Sequence, residues 1–227
     1  MKRFFIYLFI SVSCLELGGL LFSILVFTTI AKPLIVLTLV GYYIVSTSQR
    51  SIIFLAGLLF CLAGDVLLMF QSENEVIFIL GLISFLIGHI LYIITYRQHR
   101  SEEVKEGKVE LLSTQKIRFS LPIILAGTGL VVILFPLLGD LKMAVLVYAI
   151  VIIIMVMNAL FRYSRTSSAS FWMVMGGALL FQLSDSLLAI NKFHSTFPFS
   201  NFWIMLTYIA AQGLIVRGIV AHHVDLK

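Results

Sequence analysis

Charge is what this chain has least of. Only 12% of its 227 residues are Asp, Glu, Lys or Arg, while 60% are apolar. An ordinary soluble domain carries about 25% charged residues. A soluble fold of this length could not hide so much apolar surface, and large exposed apolar patches drive association. A bilayer removes the conflict, because lipid is then the solvent. Cysteine is scarce too. Cys14 and Cys61 are the only two, both in apolar runs, which excludes a disulfide framework and any metal-ligand spacing and leaves packing as their expected role. A Gly-x-Ser-x-Gly elbow, a His-Glu-x-x-His zinc helix and a Walker loop are all missing. The formal charge of +5 is modest. The basic residues are scattered between apolar runs, which fits lipid headgroups and the positive-inside bias rather than nucleic acid.

What is there in abundance is long apolar sequence. A spanning helix needs about 20 mainly apolar residues. Polar breaks and turn residues predict eight spans, at 4–27, 33–47, 51–70, 76–97, 119–139, 142–162, 170–191 and 201–221. The first follows Met1-Lys2-Arg3 and continues past Phe27 without a small-residue cleavage site, so it reads as a retained helix. The second starts at Pro33, a favourable first-turn residue, with an extension back toward Thr28 in view. Connections are short except for the charged stretch 98–118, which is expected to be a cytoplasmic linker between half-bundles 1–97 and 119–227 of a single transmembrane domain.

Loop charge sets the orientation. With the N-terminus inside, the inner side receives Lys2, Arg3, Arg50, Arg97, Arg100, Lys105, Lys108, Lys116, Arg118, Arg162, Arg165 and Lys227. The outer side receives only Lys32, Lys142 and Lys192. This asymmetry predicts an all-α polytopic bundle of eight transmembrane helices with both termini cytoplasmic. The third span contains Gly64-Asp65-Val66-Leu67-Leu68 and the seventh Ser184-Asp185-Ser186-Leu187-Leu188. Both place a small residue, then Asp, any residue and Leu-Leu, in spans that run the same way. A parallel 4 + 4 repeat would produce this, and such repeats place sites at their interface; chance likeness of Leu-rich helices is the other reading.

Polar groups within spans are costly and usually functional. Here they are Glu16, Asp65, His89, Asn158, Gln182, Asp185, Gln212 and Arg217, accompanied by Tyr92, Tyr96 and Tyr208. Asp65 and Asp185 each lie about six residues from the outer end of their spans, so similar depth is expected. Two carboxyls in such surroundings can divide into one protonated and one ionised group, a general acid and a general base. Buried aspartates hydrogen-bonded across helices, or paired with Arg217 or a lysine, are the structural alternative. Phe85, His89, Tyr92 and Tyr96 share one helical face, and Ser84 with Gly88 forms a small-xxx-small pair that admits a neighbouring helix. His89 lies deeper than Asp65 by this reading, by about 10 Å at 1.5 Å per residue. Tyr208 and Gln212 share a face of the last span. Glu16 reads either as a wall of the site or as a partner for another polar group. Lys32 and Lys192, at the outer end, are candidates for a phosphate, though snorkelling is the usual fate of such lysines. Asp65, Asp185 and His89 are too sparse a set to support a metal. No lysine lies mid-span in the seventh span, which argues against a retinal Schiff base.

Several stretches in this order resemble the YhhN-like lysoplasmalogenase family of eight-span membrane proteins. They are Lys32-Pro33-Leu34, Gly64-Asp65-x-x-Leu68, Gly81…Phe85…His89…Tyr92, Gly177-Ala178-x-x-Phe181-x-x-Ser184-Asp185-x-x-Leu188-Ala189 and Tyr208-x-x-Ala211-Gln212-x-Leu214-Ile215. The resemblance implies hydrolysis of the vinyl-ether bond of a lysophospholipid substrate with ethanolamine or choline headgroup, without metal or organic cofactor. On that reading Asp65 and Asp185 are the acid–base pair. Lys32, His89, Tyr92, Gln182, Ser184, Lys192, Tyr208 and Gln212 bind or orient substrate or water. A proton-coupled transporter of lipid or a small amphiphile, using the same carboxyls, is the alternative. Its mark would be helices broken by paired Gly/Pro interruptions, which are not obvious here. A bacterial source would place the chain in the inner membrane, a eukaryotic one in the endoplasmic reticulum.

Overall fold

Every apolar run long enough to cross a bilayer is a helix in the computed structural model, which describes residues 1–70, 75–101, 109 and 111–224. Helices are the form an apolar chain takes in lipid, because each satisfies its own backbone hydrogen bonds. In order they are α1 (Lys2–Leu21), α2 (Leu25–Ser46), α3 (Ile52–Met69), α4 (Glu75–Gln98), α5 (Ser113–Leu134), α6 (Lys142–Leu160), α7 (Ser168–Ala189) and α8 (Ser200–Val224). All eight are long and apolar enough to span, and no strand occurs among the described residues. The protein is an all-α integral membrane protein. Large apolar side chains such as Phe4, Tyr7, Val132 and Trp172 face outward, where lipid rather than water meets them. Of the expected linker 98–118, residues 102–108 and 110 lie outside the described residues, and 113–118 are helical.

The first two spans correct the sequence reading. The run to Phe27 is not one helix. Phe22 N–H closes α1 on the Gly18 carbonyl, Ser23 takes a left-handed conformation at φ 57°, and α2 begins at Leu25. Gly19 permits the reversal, since a Cβ there would meet the Phe27 Cβ at 2.9 Å. Apolar residues carry this turn, so hydropathy could not show it. Pro33 therefore lies inside α2 rather than in its first turn. Lys32 is likewise within the span and half-buried, not at its outer end. The fifth span starts six residues earlier than expected and takes Lys116 and Arg118 into its first turns. Cys14 is exposed and so faces outward instead of packing, while Cys61 is buried.

The chain forms two compact units, Met1–Thr95 and Tyr96–Lys227. In the first, α1 and α2 are antiparallel, with the Phe5 ring over Gly41 and Phe27 over Gly19. The α2–α3 turn is closed by Ser51, whose N–H donates to the Tyr43 phenol oxygen at 2.9 Å and whose hydroxyl accepts from Phe54 N–H at 3.2 Å. In α3 and α4, Gly57, Cys61, Gly64 and Leu68 meet Tyr92, Gly88, Phe85 and Gly81 in turn. That fixes an antiparallel register in which glycines on both helices receive the partner's bulk.

In the second unit two 3₁₀ turns, Phe135–Leu137 and Gly139–Leu141, join α5 to α6. A π-helical turn, Ile190–His194, ends α7. The α7–α8 pair is also antiparallel: Gly177 lies against Ala211 and Ile215, and Gly218 against Val174. The Ser170 hydroxyl donates to the Gly218 carbonyl at 2.7 Å and the Ser184 hydroxyl to the Ile204 carbonyl at 2.9 Å, stitching the pair at both ends. Exposed Trp172 and Trp203 stand near the starts of α7 and α8, hence at opposite ends of this pair, as expected of interfacial anchors.

Candidate active site

In the first unit the polar side chains collect along α3 and α4. Asp65, His89 and Tyr92 are all buried. Asp65 follows Gly64, where a Cβ would come within 2.6 Å of the Phe85 ring. The ring thus packs on bare backbone beside the carboxylate, and it stacks on the His89 imidazole with centroids 6.4 Å apart. The register sets Asp65 level with Ser84, and His89 level with Phe60. That spacing is about 7 Å along the axis at 1.5 Å per residue. Helical Cβ atoms tilt toward the N-terminus, and the two helices are antiparallel, so Asp65 and His89 lean toward each other's level. The Cys61 thiol reaches the Tyr92 hydroxyl at 3.9 Å, and the Ser84 hydroxyl donates to the Phe60 carbonyl at 2.8 Å.

Elsewhere in this unit Glu16 is buried on α1, and its Oε2 has no hydrogen-bond partner among the described residues. The Lys32 ammonium acts on this carboxyl electrostatically. The antiparallel register of α1 and α2 explains it, since it sets Glu16 near the level of Ile30. Lys32 thus lies within electrostatic reach of an intramembrane acid, which follows from its place inside α2.

In the second unit Asp185 is half-buried. The Tyr148 phenol of α6 donates to its Oδ2 at 2.6 Å. Sequence reasoning missed Tyr148. The available signal was its hydroxyl, the only polar side-chain atom of the sixth span between Lys142 and Asn158. Phe181 and Tyr208 make an edge-to-face pair at 5.4 Å, and Gln212 donates to the Tyr208 hydroxyl at 3.2 Å. The α7–α8 register puts Tyr208 about one turn from Asp185. Gln182, one turn before Asp185, donates to the Ile123 carbonyl of α5 at 3.4 Å. Ser184 is engaged with Ile204. Lys192 lies in the π-helical turn and is exposed. Arg217 is exposed on α8, which removes it as a buried partner for an aspartate. Among the described residues no three His, Cys, Asp or Glu side chains cluster as metal ligands.

Two further polar residues act as struts. Asn158 accepts from Arg97 Nε at 2.9 Å. Arg162, counted from the sequence as a loop charge, is fully buried. Its Nε and Nη2 donate to the His99 carbonyl, both at 3.1 Å, and Nη2 also donates to the Ser170 hydroxyl at 2.9 Å. Burial pulls its pKa down to about 10, against the opposing effect of Tyr96, so the guanidinium stays charged at neutral pH.

Eight apolar spans that carry carboxyl, phenol and amide side chains in both units define a polytopic membrane protein. The chain belongs to the YhhN family, whose model matches residues 27–219. The matched region includes both aspartates and the other candidate residues from Lys32 to Gln212, but not Glu16. No solved structure matches the chain.

Proposed function

We propose that this protein hydrolyses the vinyl-ether bond of a lysoplasmalogen, releasing a fatty aldehyde and a glycerophospho-alcohol. The observation that carries the reading is the pair of enclosed carboxyls in apolar spans of a YhhN-family chain: Asp65 buried beside Gly64, and Asp185 held by Tyr148. Both stand four residues before the α-helical ends Met69 and Ala189, or about 6 Å in at 1.5 Å per residue.

The chemistry needs one proton donor and one acceptor. A carboxylic acid protonates the β-carbon of the vinyl ether, leaving an oxocarbenium ion at the α-carbon. An ionised carboxylate stabilises that cation and takes a proton from the water that adds to it. The resulting hemiacetal collapses to aldehyde and alcohol, with one water consumed. General acid–base catalysis of this kind contributes about 10²–10⁴-fold, and charge stabilisation at the cation adds to it. In this reading Asp65 and Asp185 carry these steps, Tyr148 holds Asp185, and His89, Tyr92, Tyr208 and Gln212 orient substrate or water.

The test is aldehyde release by purified protein from a lysoplasmalogen in mixed micelles. Asp65→Asn and Asp185→Asn preserve shape and should each lower the rate at least about 100-fold. In deuterated water the aldehyde should carry deuterium on the carbon next to its carbonyl. Loss in only one variant would assign the chemistry to a single unit. No aldehyde from wild type with any vinyl ether, or full activity in both variants, would overturn the reading. Proton-coupled uptake into liposomes would then favour transport.

A further inference from the structure

One buried carboxyl takes no part in the proposed hydrolysis. Glu16 stands on the face of α1 that packs against α2, with Val12, Ser13 and Gly19, and is 1% exposed. Its Oε2 has no hydrogen-bond partner among the described residues. Buried polar atoms are ordinarily paired, because an unpaired one loses its hydration and gains nothing in return. The hydroxyls nearby on these two helices are already engaged. Ser13 donates to the Phe9 carbonyl at 2.7 Å, and Thr28 and Thr29 each donate to the Leu25 carbonyl at 2.9 Å. A hydroxyl has one proton to give, so none of the three serves Glu16. Glu16 also lies outside residues 27–219, so family membership assigns it no role.

Lys32 completes the arrangement. It is half-buried inside α2, two positions beyond Ile30, the residue level with Glu16. Helical Cβ atoms tilt toward the N-terminus, so Glu16 on α1 and Lys32 on the antiparallel α2 lean toward each other's level. The ammonium acts on the carboxyl through space without closing on Oε2. The hairpin therefore holds an open hydrogen-bond acceptor with a cation beside it.

A lysoplasmalogen offers matching groups. It carries the vinyl ether on the first glycerol carbon, a free hydroxyl on the second and the phosphate on the third. Donor and anion thus sit on neighbouring carbons. Glu16 stands five residues before Leu21, and Asp65 four before Met69. At 1.5 Å per residue these are about 8 and 6 Å from the ends of their helices, both of which run antiparallel to α2. That near-equal placement suits a hydroxyl one carbon away from the group on which Asp65 acts.

We propose that Glu16 accepts a hydrogen bond from the glycerol hydroxyl of the lysolipid while Lys32 binds its phosphate, so that the pair selects a lysolipid over the parent lipid acylated at that oxygen. The proposal rests on the hydrolase reading for the identity of the substrate. Acylation removes the donor and leaves Oε2 unpaired in an apolar site, and a site built to bond a hydroxyl rejects a ligand that lacks it.

The test compares two vinyl-ether substrates on the purified full-length protein: an ethanolamine lysoplasmalogen, and the same lipid with hydrogen in place of the glycerol hydroxyl. The deoxy lipid should be poorer in kcat/KM by about 10- to 100-fold, the loss expected when a hydrogen bond to a charged group goes. Wild type carries this comparison, so no variant has to fold for it. Glu16→Leu, suited to an apolar span, should bring the two substrates within about twofold of each other. Glu16→Gln keeps an acceptor without the charge and should retain a preference of about fivefold. Lys32→Met should raise KM about tenfold for both lipids alike, since both carry the phosphate. Equal turnover of the two lipids by wild type would overturn the proposal. So would a preference that survives in Glu16→Leu, because a merely structural Glu16 affects both lipids alike. A Glu16→Leu effect confined to ethanolamine over choline lipids would make the carboxyl a reader of the headgroup amine and would overturn it too. Failure of the hydrolase reading shows separately, as no aldehyde from any vinyl ether. Native mass spectrometry of bound 1-acyl lysophosphatidylethanolamine and its deoxy analogue then carries the same comparison. A preference for the hydroxyl form that Glu16→Leu abolishes would keep the site, and equal binding would remove it.

Discussion

The α3–α4 and α7–α8 pairs share a sequence pattern, small residue–Asp–x–Leu–Leu on the leading helix, and an antiparallel partner brought close by glycine. They differ in what fills the gap. On α3–α4 the glycines receive side chains: Phe85 lies over Gly64, Tyr92 over Gly57 and Leu68 over Gly81. On α7–α8 side chain and backbone close in together: a Cβ at Gly177 would meet Ile215 Cγ1 at 2.7 Å and the Ala211 carbonyl at 2.8 Å, and one at Gly218 would meet Val174 Cγ2 at 2.6 Å and the Val174 nitrogen at 3.0 Å. Serine hydroxyls then bond across to carbonyls. The aspartates differ accordingly. Asp65 is buried beside an aromatic ring, and Asp185 is half-buried with a phenol on one oxygen. One short pattern thus produces two environments, because the partner helix and not the pattern decides what surrounds the carboxyl.

The largest expected effect falls on activity. Asp65→Asn and Asp185→Asn should each cost at least about 100-fold in aldehyde release, and unequal losses would show that the two environments do different work. Next comes stability. Gly177→Ala drives a methyl group into backbone that cannot swing aside, so it should cost about 3 kcal/mol, the upper end for overpacking. Gly64→Ala meets a ring that can rotate away and should cost about 1–2 kcal/mol. Thermal unfolding in detergent checks the order, and a larger loss for Gly64→Ala would break the distinction between ring-filled contacts and those that include backbone. Tyr148→Phe removes only the hydroxyl that donates to Asp185. It should lower turnover roughly tenfold and lower the unfolding temperature by several degrees, since a hydrogen bond to a charged group is worth about 1.5–3 kcal/mol. Wild-type turnover in this variant would remove Tyr148 from the site. Gly176→Ala is the smallest case. A Cβ there meets only Leu214 at 3.8 Å, so the change should be within about 0.5 kcal/mol of neutral.

Much of the candidate site was legible because intramembrane polar residues are rare and stand out one by one. Asp65, His89, Asp185, Tyr208 and Gln212 were all visible that way, and all but the half-buried Asp185 are buried. Tyr148 offered only its hydroxyl as a signal. Tyrosine is ordinary in an apolar span, and nothing local announces that its hydroxyl will meet a carboxylate 37 residues later in the chain. Lys32 was misplaced because the α1–α2 turn is made of apolar residues around Ser23. Arg162 was misread for the opposite reason: a charge in a short connection looks solvated, yet a carbonyl and a hydroxyl bury it.

The sequence by itself determined the membrane class, the eight spans and the residues too polar to be there by accident. Those follow from hydropathy and helix length, which are local properties of the chain. Only the tertiary structure decided the helix registers. From them come the Phe85 ring beside Asp65, the Tyr148 phenol on Asp185 and the Lys32 charge acting on Glu16. Each depends on which residue of one helix stands level with which residue of another, and close packing settles that through the glycines and serines that let two backbones approach.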